Sequence, residues 1–279
     1  MRKFFRASFL AVLYFMLFMG IQTLVTLAGS LFLMGNEILQ QGMGLFENPQ
    51  RFHRVYMEML MKHMTGLVLL SNLLTMAGVF LCLRFRHEKI KERLCLLKTS
   101  SKNLSMSCLF GVGICFLMDL VTMVLPFPEP VLENFSFQHS LLWFGDAGLT
   151  FLSVAIVGPV SEEIFFRGLC YSRLKKYVHP SAAAILSAAV FGLAHGDPVW
   201  FLIGFLAGLS LSWVLEVTGS LYCAIAVHVT NNAISSVMAY VPISESFHRL
   251  LIILSIGIAL ISGYGLYKNN CRDSFCNPD

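Results

Sequence analysis

The sequence predicts an all-α, polytopic membrane protein with about eight transmembrane helices and both termini in the cytoplasm. Three observations predict this fold: an apolar composition, apolar runs of membrane-spanning length, and basic residues gathered in alternate loops. Of the 279 residues, 56% are hydrophobic and only 13% are charged, whereas soluble domains carry about 25% charged residues. The net charge of +4 is small and comes from loops, so it bears on orientation and gives no indication of a nucleic-acid partner.

The apolar runs predict where the chain crosses the bilayer. A helix needs about 20 apolar residues to cross the hydrocarbon core. Prolines lie between the third, fourth and fifth runs, and helices usually end before a proline. These prolines therefore mark the ends of separate helices. The fifth run is short. The predicted spans cover residues 8–34, 64–83, 105–126, 147–172, 181–196, 200–217, 221–240 and 249–267.

The first run follows three basic residues and therefore resembles a signal peptide. Arg2, Lys3 and Arg6 precede it. The apolar region of a signal peptide is typically about 7–15 residues long, and this run is about twice that length. We therefore predict a transmembrane helix that starts in the cytoplasm.

Basic residues predict which loops are cytoplasmic. Lys and Arg are frequent in 84–102 and 173–177, whereas 127–140 contains none. Alternation along the chain then places both termini inside. The segment 35–63 must lie outside although it is basic, and we predict an amphipathic helix around Arg51–Met61 that rests on the membrane surface. The small size and short loops favour a bacterial plasma membrane protein.

Three charged residues lie inside the fourth run: Glu162, Glu163 and Arg167. A charged side chain at the bilayer centre costs at least about 2.5–3.5 kcal/mol, so a functional site is the default interpretation. Glu163 precedes Arg167 by four residues, the favoured orientation for a helical ion pair. Glu162 lies on a neighbouring face without a partner in its own helix, which suits a general base or acid.

Two further polar groups follow on later helices. His195 ends the run Phe191-Gly-Leu-Ala-His195, and His228 shares a helical face with Asn232, four residues on. Rise per residue places Glu162 and His195 about 20 Å from the cytoplasmic edge, with His228 at about 10 Å and Asn232 at about 17 Å. Helix tilt can bring these four groups together in one site.

This set of side chains suits the hydrolysis of a peptide bond. Glu and His can deprotonate a water molecule, and a neighbouring His and Asn can donate hydrogen bonds to the oxyanion of a tetrahedral intermediate. Alternatively, Glu162, His195 and His228 could bind Zn²⁺ and activate its water. Neither HExxH nor GxSxG occurs, so the zincin helix and the commonest serine-hydrolase motif are missing. We expect no cofactor, with zinc as the alternative.

The three motifs together resemble the CAAX protease and bacteriocin-processing family, also called CPBP or Abi. Its members are intramembrane endopeptidases related to the type II CAAX prenyl protease. The family pattern EExxxR, FxxxH and HxxxN or HxxxD is matched by Glu162 to Arg167, Phe191 to His195, and His228 to Asn232. The resemblance covers about residues 147–240.

The resemblance implies a role for each of these residues. Glu162 would activate water together with His195, while His228 and Asn232 would form the oxyanion site. Glu163 and Arg167 would support them. The substrate would be a membrane-embedded, prenylated or otherwise lipidated peptide or protein.

Three domains follow from the resemblance. Residues 1–140 hold transmembrane helices without a recognised motif, and 141–245 form the catalytic core. Residues 246–279 hold the last transmembrane helix and a cytoplasmic tail.

Two other functions remain open at this point. Intramembrane charges also serve transporters as proton relays, although transporters often have paired repeats and broken helices, and neither is evident here. The chain could also be a bacteriocin-immunity or binding protein of the same fold. Asp119, a further carboxylate inside the third run, is expected either to line the cavity or to make a structural pair.

Overall fold

The computed structural model of the protein describes residues 2–142, 145–241 and 243–274, and within these ranges the regular elements are all helices. A short 3₁₀ turn, Met43–Glu47, joins the first two long helices. The helices are α1 (Arg2–Gln41), α2 (Pro49–Phe85), α3 (Ile90–Arg93), α4 (Ser101–Val124), α5 (Glu129–Leu142), α6 (Ala147–Leu174), α7 (Pro180–Leu193), α8 (Pro198–Thr218), α9 (Leu221–Tyr240) and α10 (Glu245–Ser274).

Among the described residues, six helices are long and apolar enough to cross a membrane: α1, α2, α4, α6, α8 and α10. Helix α7 is apolar but has only 14 residues, about 21 Å of rise. Helix α9 is long enough, but His228, Asn231 and Asn232 make it more polar. The predicted all-helical integral membrane protein is therefore confirmed with six to seven spans. The count of eight stays a prediction, although each predicted run overlaps a helix.

Both ends of the described chain lie at the same end of the helix bundle. The Arg6 guanidinium sits 4.7 Å above the ring of Tyr177, just after α6. At the start of α4, the Asn103 amide donates to Asn270 Oδ1 at 3.1 Å, near the end of α10. This end, here called the basic end, also carries most of the Lys and Arg residues. Its cytoplasmic location stays a prediction.

Helix α2 corrects one prediction. Its first residue is Pro49, and Asn48 Oδ1 accepts hydrogen bonds from the next two backbone N–H groups. The predicted surface helix around Arg51–Met61 is not separate, because no proline or glycine interrupts the helix before Gly66. At 1.5 Å per residue, α1 and α2 are about 60 and 55 Å long, about twice the hydrocarbon thickness.

Helix α6 contains two wider, π-helical stretches, Phe151–Val157 and Glu163–Tyr171. In the first, the Gly158 N–H bonds to Ser153 O, five residues back, and Pro159 has no N–H to donate. The carbonyl of Val154 consequently has no partner within its own helix. Such π-helical turns occur frequently at functional sites.

Candidate active site

A buried ion pair within α6 is connected to α9 by a histidine. Glu163 and Arg167 are fully buried, and Arg167 Nη1 donates to Glu163 Oε1 at 2.8 Å. The same oxygen lies 2.9 Å from His228 Nδ1. Because an ionised carboxylate only accepts hydrogen bonds, Nδ1 carries the proton. The pair predicted from the spacing of Glu163 and Arg167 is confirmed, and it also orients His228.

The guanidinium of Arg167 also packs on an aromatic ring. Its central carbon lies 4.4 Å from the centroid of Phe191, a cation–π arrangement. Gly208 on α8 makes room for it, since a Cβ there would lie 3.1 Å from Arg167 Nη2 and 2.9 Å from the Ala188 Cβ. Sequence reasoning matched Phe191 to the family pattern but missed this role, because no spacing rule relates it to Arg167.

Glu162 faces away from the buried pair and into a cavity. Its side chain keeps 21% of its surface exposed, and Oε2 lies 3.6 Å from His228 Nε2. Adjacent helical residues point about 100° apart. Glu163 is therefore buried against Arg167, whereas its neighbour Glu162 opens into the cavity.

His195 lies just beyond the end of α7, not within the span predicted for 181–196. The helix ends at Leu193, and Gly196 adopts a left-handed φ of 75° that turns the chain. The backbone N–H of His195 bonds to Gly192 O, so the carbonyl of Phe191 is left for the His195 ring, whose Nδ1 donates to it at 2.8 Å. In the neutral imidazole, Nε2 is then free to accept a proton.

Helix α5 covers this part of the site. Asn134 donates to Asp197 Oδ2 at 2.8 Å, and Phe135 packs on Trp200 with ring centroids 4.9 Å apart. Trp200 in turn stacks on the His195 ring at 6.3 Å. Sequence reasoning treated 127–140 as a loop after prolines and missed these residues, although Asp197 before Pro198 is a helix-start signal.

Asn232 binds the carbonyl that the π-helical turn leaves without a partner. Its Nδ2 donates to Val154 O at 3.0 Å, and its Oδ1 accepts from Asn231 Nδ2 at 2.9 Å. Two neighbours therefore hold the Asn232 amide plane. The second N–H group of the Asn232 side chain can still donate to another acceptor.

These groups share one cavity of about 600 Å³. Glu162, His195, His228 and Asn232 all line it, so the structure brings together the four residues predicted to be catalytic. Asp119 lines it as well, whereas Glu163 and Arg167 lie behind the wall. Among the described residues, no three His, Cys, Asp or Glu side chains are grouped closely enough to hold one metal ion.

Residues 145–234 match the sequence model of the family described as "Type II CAAX prenyl endopeptidase Rce1-like". This segment is an Rce1-like domain. It lies inside the predicted core 141–245 and contains all four cavity residues named above. The buried Glu/His pair is consistent with the catalytic site of this family of peptidases. The domain boundaries and the role of each residue stay predictions.

One curated relative is similar to part of the chain. The chain is 27% identical over 89 residues to "Putative membrane peptidase YdiL" of Bacillus subtilis (strain 168), which covers 32% of this chain and 36% of that protein. The chain therefore matches about a third of the length of this relative. No solved structure matches the chain.

Proposed function

We propose that the protein is an intramembrane endopeptidase that hydrolyses peptide bonds of membrane-associated or lipidated substrates. One observation carries the proposal. Glu162 is the exposed neighbour of a fully buried glutamate, it lies 3.6 Å from a histidine that this neighbour orients, and it opens into a cavity that His195 also lines.

Glu162 and His195 would activate the water molecule. Glu162 accepts one proton of the water while the remaining O–H donates to His195 Nε2, whose ring carries its proton on Nδ1. The hydroxide oxygen bonds to the carbonyl carbon, the carbon–nitrogen bond then breaks, and the proton passes from Glu162 to the leaving amine. General acid–base catalysis of this kind contributes about 10²–10⁴ in rate.

His228 and Asn232 would stabilise the oxyanion. His228 already donates Nδ1–H to Glu163, so a second proton on Nε2 gives it a donor directed to the cavity. Asn232 contributes the N–H that Val154 O leaves free. Preorganised donors of this type stabilise the transition state because they need not reorient during the reaction.

We propose that this chemistry is metal-free. A catalytic zinc site takes three protein ligands, and Glu162, His195 and His228 would be the set. The bond from His228 Nδ1 to Glu163 would leave Nε2 able to bind a metal, but no group of three such side chains lies together among the described residues. Elemental analysis that finds one zinc per chain, lost together with activity in His195→Ala, would contradict the proposal.

For the membrane topology we propose eight crossings with the basic end in the cytoplasm, because Lys and Arg concentrate in cytoplasmic loops. Reporter fusions after 100 and after 270 should then both report a cytoplasmic location. Opposite locations for the two would exclude this topology.

The decisive experiment presents peptides to the purified protein in lipid nanodiscs. A library of peptides derived from membrane proteins is incubated with the wild type, with Glu162→Ala and with Glu92→Ala, which removes an exposed carboxylate at the basic end. We expect new peptide termini with the wild type and with Glu92→Ala but not with Glu162→Ala. Products that persist in Glu162→Ala would be due to another peptidase.

A further inference from the structure

A second polar pair, outside the Rce1-like domain, has one member in the wall of the same cavity. Asp119 on α4 accepts a hydrogen bond from His248 Nε2 on α10, with Oδ2 and Nε2 3.0 Å apart. Their side chains are 39% and 31% exposed, and Asp119 belongs to the cavity wall. Asp119 therefore both lines the cavity and makes a pair, and the hydrolytic steps above use neither residue.

The position of Asp119 relative to the reacting groups follows from helix packing. A Cβ on Gly111 of α4 would lie 2.5 Å from Val227 O on α9, so Gly111 is level with the residue before His228. Helices α4 and α9 both start at the basic end, where the backbone of Leu221 bonds to Cys95 O. Asp119 is eight residues beyond Gly111, which is about 12 Å further from the basic end at 1.5 Å per residue.

The described side chains that face the cavity include carboxylates but no Lys or Arg. Glu162 and Asp119 are its carboxylates, and its imidazoles are His195 and His228, with His248 behind Asp119. No Lys or Arg is among the described lining residues, and Arg167 is sealed behind Glu163. The hydrogen bond from His248 holds the Asp119 carboxylate in place at the cavity wall. This end of the cavity therefore favours a cation.

The distance from the reacting groups to Asp119 determines which residue of a bound peptide could contact the Asp119 carboxylate. An extended peptide rises about 3.3–3.6 Å per residue, so about 12 Å corresponds to three or four residues. A long cationic side chain can reach this distance from a residue nearer the reacting bond. Ser235 of α9, which also lines the cavity, gives a peptide backbone a hydrogen-bonding partner at about the level of Asp119.

Building on the proposed peptidase function, we propose that Asp119, oriented by His248, binds a cationic group of the substrate two to four residues from the bond that is cleaved. The group is an ammonium or guanidinium, either on a Lys or Arg side chain or at a free peptide N-terminus. The substrate class is thus an apolar, membrane-associated peptide with one positive charge near the cleavage site.

The test uses a cleaved apolar peptide in which Lys is moved through five positions on each side of the cleaved bond. Norleucine at the same position is the reference, because it keeps the alkyl chain without the charge. We expect Lys at one position, two to four residues away, to raise kcat/KM at least tenfold, mainly through KM. Asp119→Asn should abolish this preference, and Asp119→Glu should restore part of it.

A matched control removes a carboxylate outside the cavity. Glu133 is exposed on α5 and does not line the cavity, so Glu133→Gln should keep the Lys preference. Acetylation of the N-terminus of the norleucine peptide tests the other source of positive charge, since it should lower kcat/KM in the wild type but not in Asp119→Asn if the terminal amine is the group that is bound.

Binding measurements separate a failure of this inference from a failure of the proposed function. Fluorescent Lys and norleucine peptides are titrated into Glu162→Gln and into Glu162→Gln with Asp119→Asn. At least tenfold tighter binding of the Lys peptide, lost without Asp119, supports the inference even if no peptide is cleaved. Cleavage that depends on Glu162 but changes neither when Lys replaces norleucine at any position nor when the peptide N-terminus is acetylated overturns the inference and leaves the peptidase function intact. A Lys preference that survives Asp119→Asn overturns it too.

Discussion

Two clusters of opposite charges differ in their surroundings more than in their chemistry. In the first, Glu163 binds Arg167 and His228 between the helices and has no exposed surface. In the second, at the basic end, Glu88 binds three arginines and keeps 22% of its side chain exposed. The distances from its carboxylate are 2.8 Å to Arg86, 3.0 Å to Arg93 and 3.3 Å to Arg173.

The number of ion pairs in a cluster is therefore a poor guide to its importance. Exposed pairs are typically worth about 0–1 kcal/mol, because water screens them and solvates either partner alone. Removing one partner of a buried pair costs about 3–5 kcal/mol, because the other charge is left without compensation. The Glu163 cluster should therefore dominate both stability and activity, although the Glu88 cluster contains more contacts.

The largest effect is expected at the carboxylate that extends the buried cluster into the cavity. Glu162→Gln keeps the shape of the side chain but removes the base, so cleavage should fall by about 10²–10⁴. Folding should survive, because a neutral group is cheaper at membrane depth. Glu92→Gln, the same change at the basic end, should retain wild-type turnover. Single-turnover rates measure both, and wild-type turnover of Glu162→Gln would end its assignment as the base.

The second prediction concerns a variant that removes one partner of the buried ion pair. Arg167→Met leaves Glu163 buried without its cation and should lower the free energy of unfolding by about 3–5 kcal/mol. The matched variant at the basic end, Arg173→Met, should cost less than about 1 kcal/mol. Thermal unfolding in detergent compares the two.

A double variant shows whether the loss comes from the uncompensated charge. Arg167→Met with Glu163→Gln removes both charges and keeps an oxygen for the bond to His228 Nδ1. It should unfold at a higher temperature than Arg167→Met alone. Equal melting temperatures for the single and double variants would mean that water reaches both charges.

The third prediction compares two side chains that each bind a backbone carbonyl of another segment. Asn232→Ala removes the bond to Val154 O and a proposed oxyanion donor, so kcat should fall by about 10²–10³ together with a lower melting temperature. Ser220 Oγ donates to Leu97 O at 2.6 Å at the basic end. Ser220→Ala should lower only the melting temperature. An unchanged kcat in the folded fraction of Asn232→Ala would leave Asn232 a purely structural role.

Asn231→Ala tests the neighbour that holds the Asn232 side-chain amide in place. The 3.6-residue period places Asn231 about 100° away from Asn232 and by itself predicts little effect. Its amide, however, donates to Asn232 Oδ1. We therefore expect a loss of kcat smaller than that of Asn232→Ala, with no change in KM.

The smallest effect is expected at the Glu88 cluster, from pH. The hydrogen bond from Arg86 holds the pKa of the Glu88 carboxyl below its usual range, helped by Arg173 and Arg93. A carboxyl with a lowered folded-state pKa stabilises the protein above its unfolded-state pKa of about 4.3, and this stabilisation is lost as pH falls through the folded-state value. Glu88→Gln should cost less than about 1 kcal/mol at neutral pH. The difference from the wild type should vanish in acid, and a constant difference down to the lowest pH would contradict the prediction.

The sequence predicted the helices and the residues of the site better than it predicted how they are held. Run length and hydropathy are local properties, and they located the helices. The spacing of Glu163 and Arg167 predicted their pair for the same reason. The bond from Asn232 to Val154 O depends on a π-helical turn, and a 3.6-residue period cannot predict that turn. The ring of Phe191 below Arg167, and the cover that α5 places over Trp200, depend on contacts between distant segments.

The wide turn before Pro159 has a consequence for how this chain tolerates change. A π-helical stretch holds one residue more than an α-helix of the same register, so deleting Ile156 would leave an apolar segment that still inserts into a bilayer. The stretch could then close as an ordinary α-helix without rotating the residues on either side, so Glu162 would still face His228. Val154 O would remain without a partner in its own helix, because the fourth residue after it would then be Pro159, which has no N–H. Deletion of Ile156 should therefore be tolerated better than a deletion in a regular α-helical stretch, where everything beyond the deletion would rotate by about 100°.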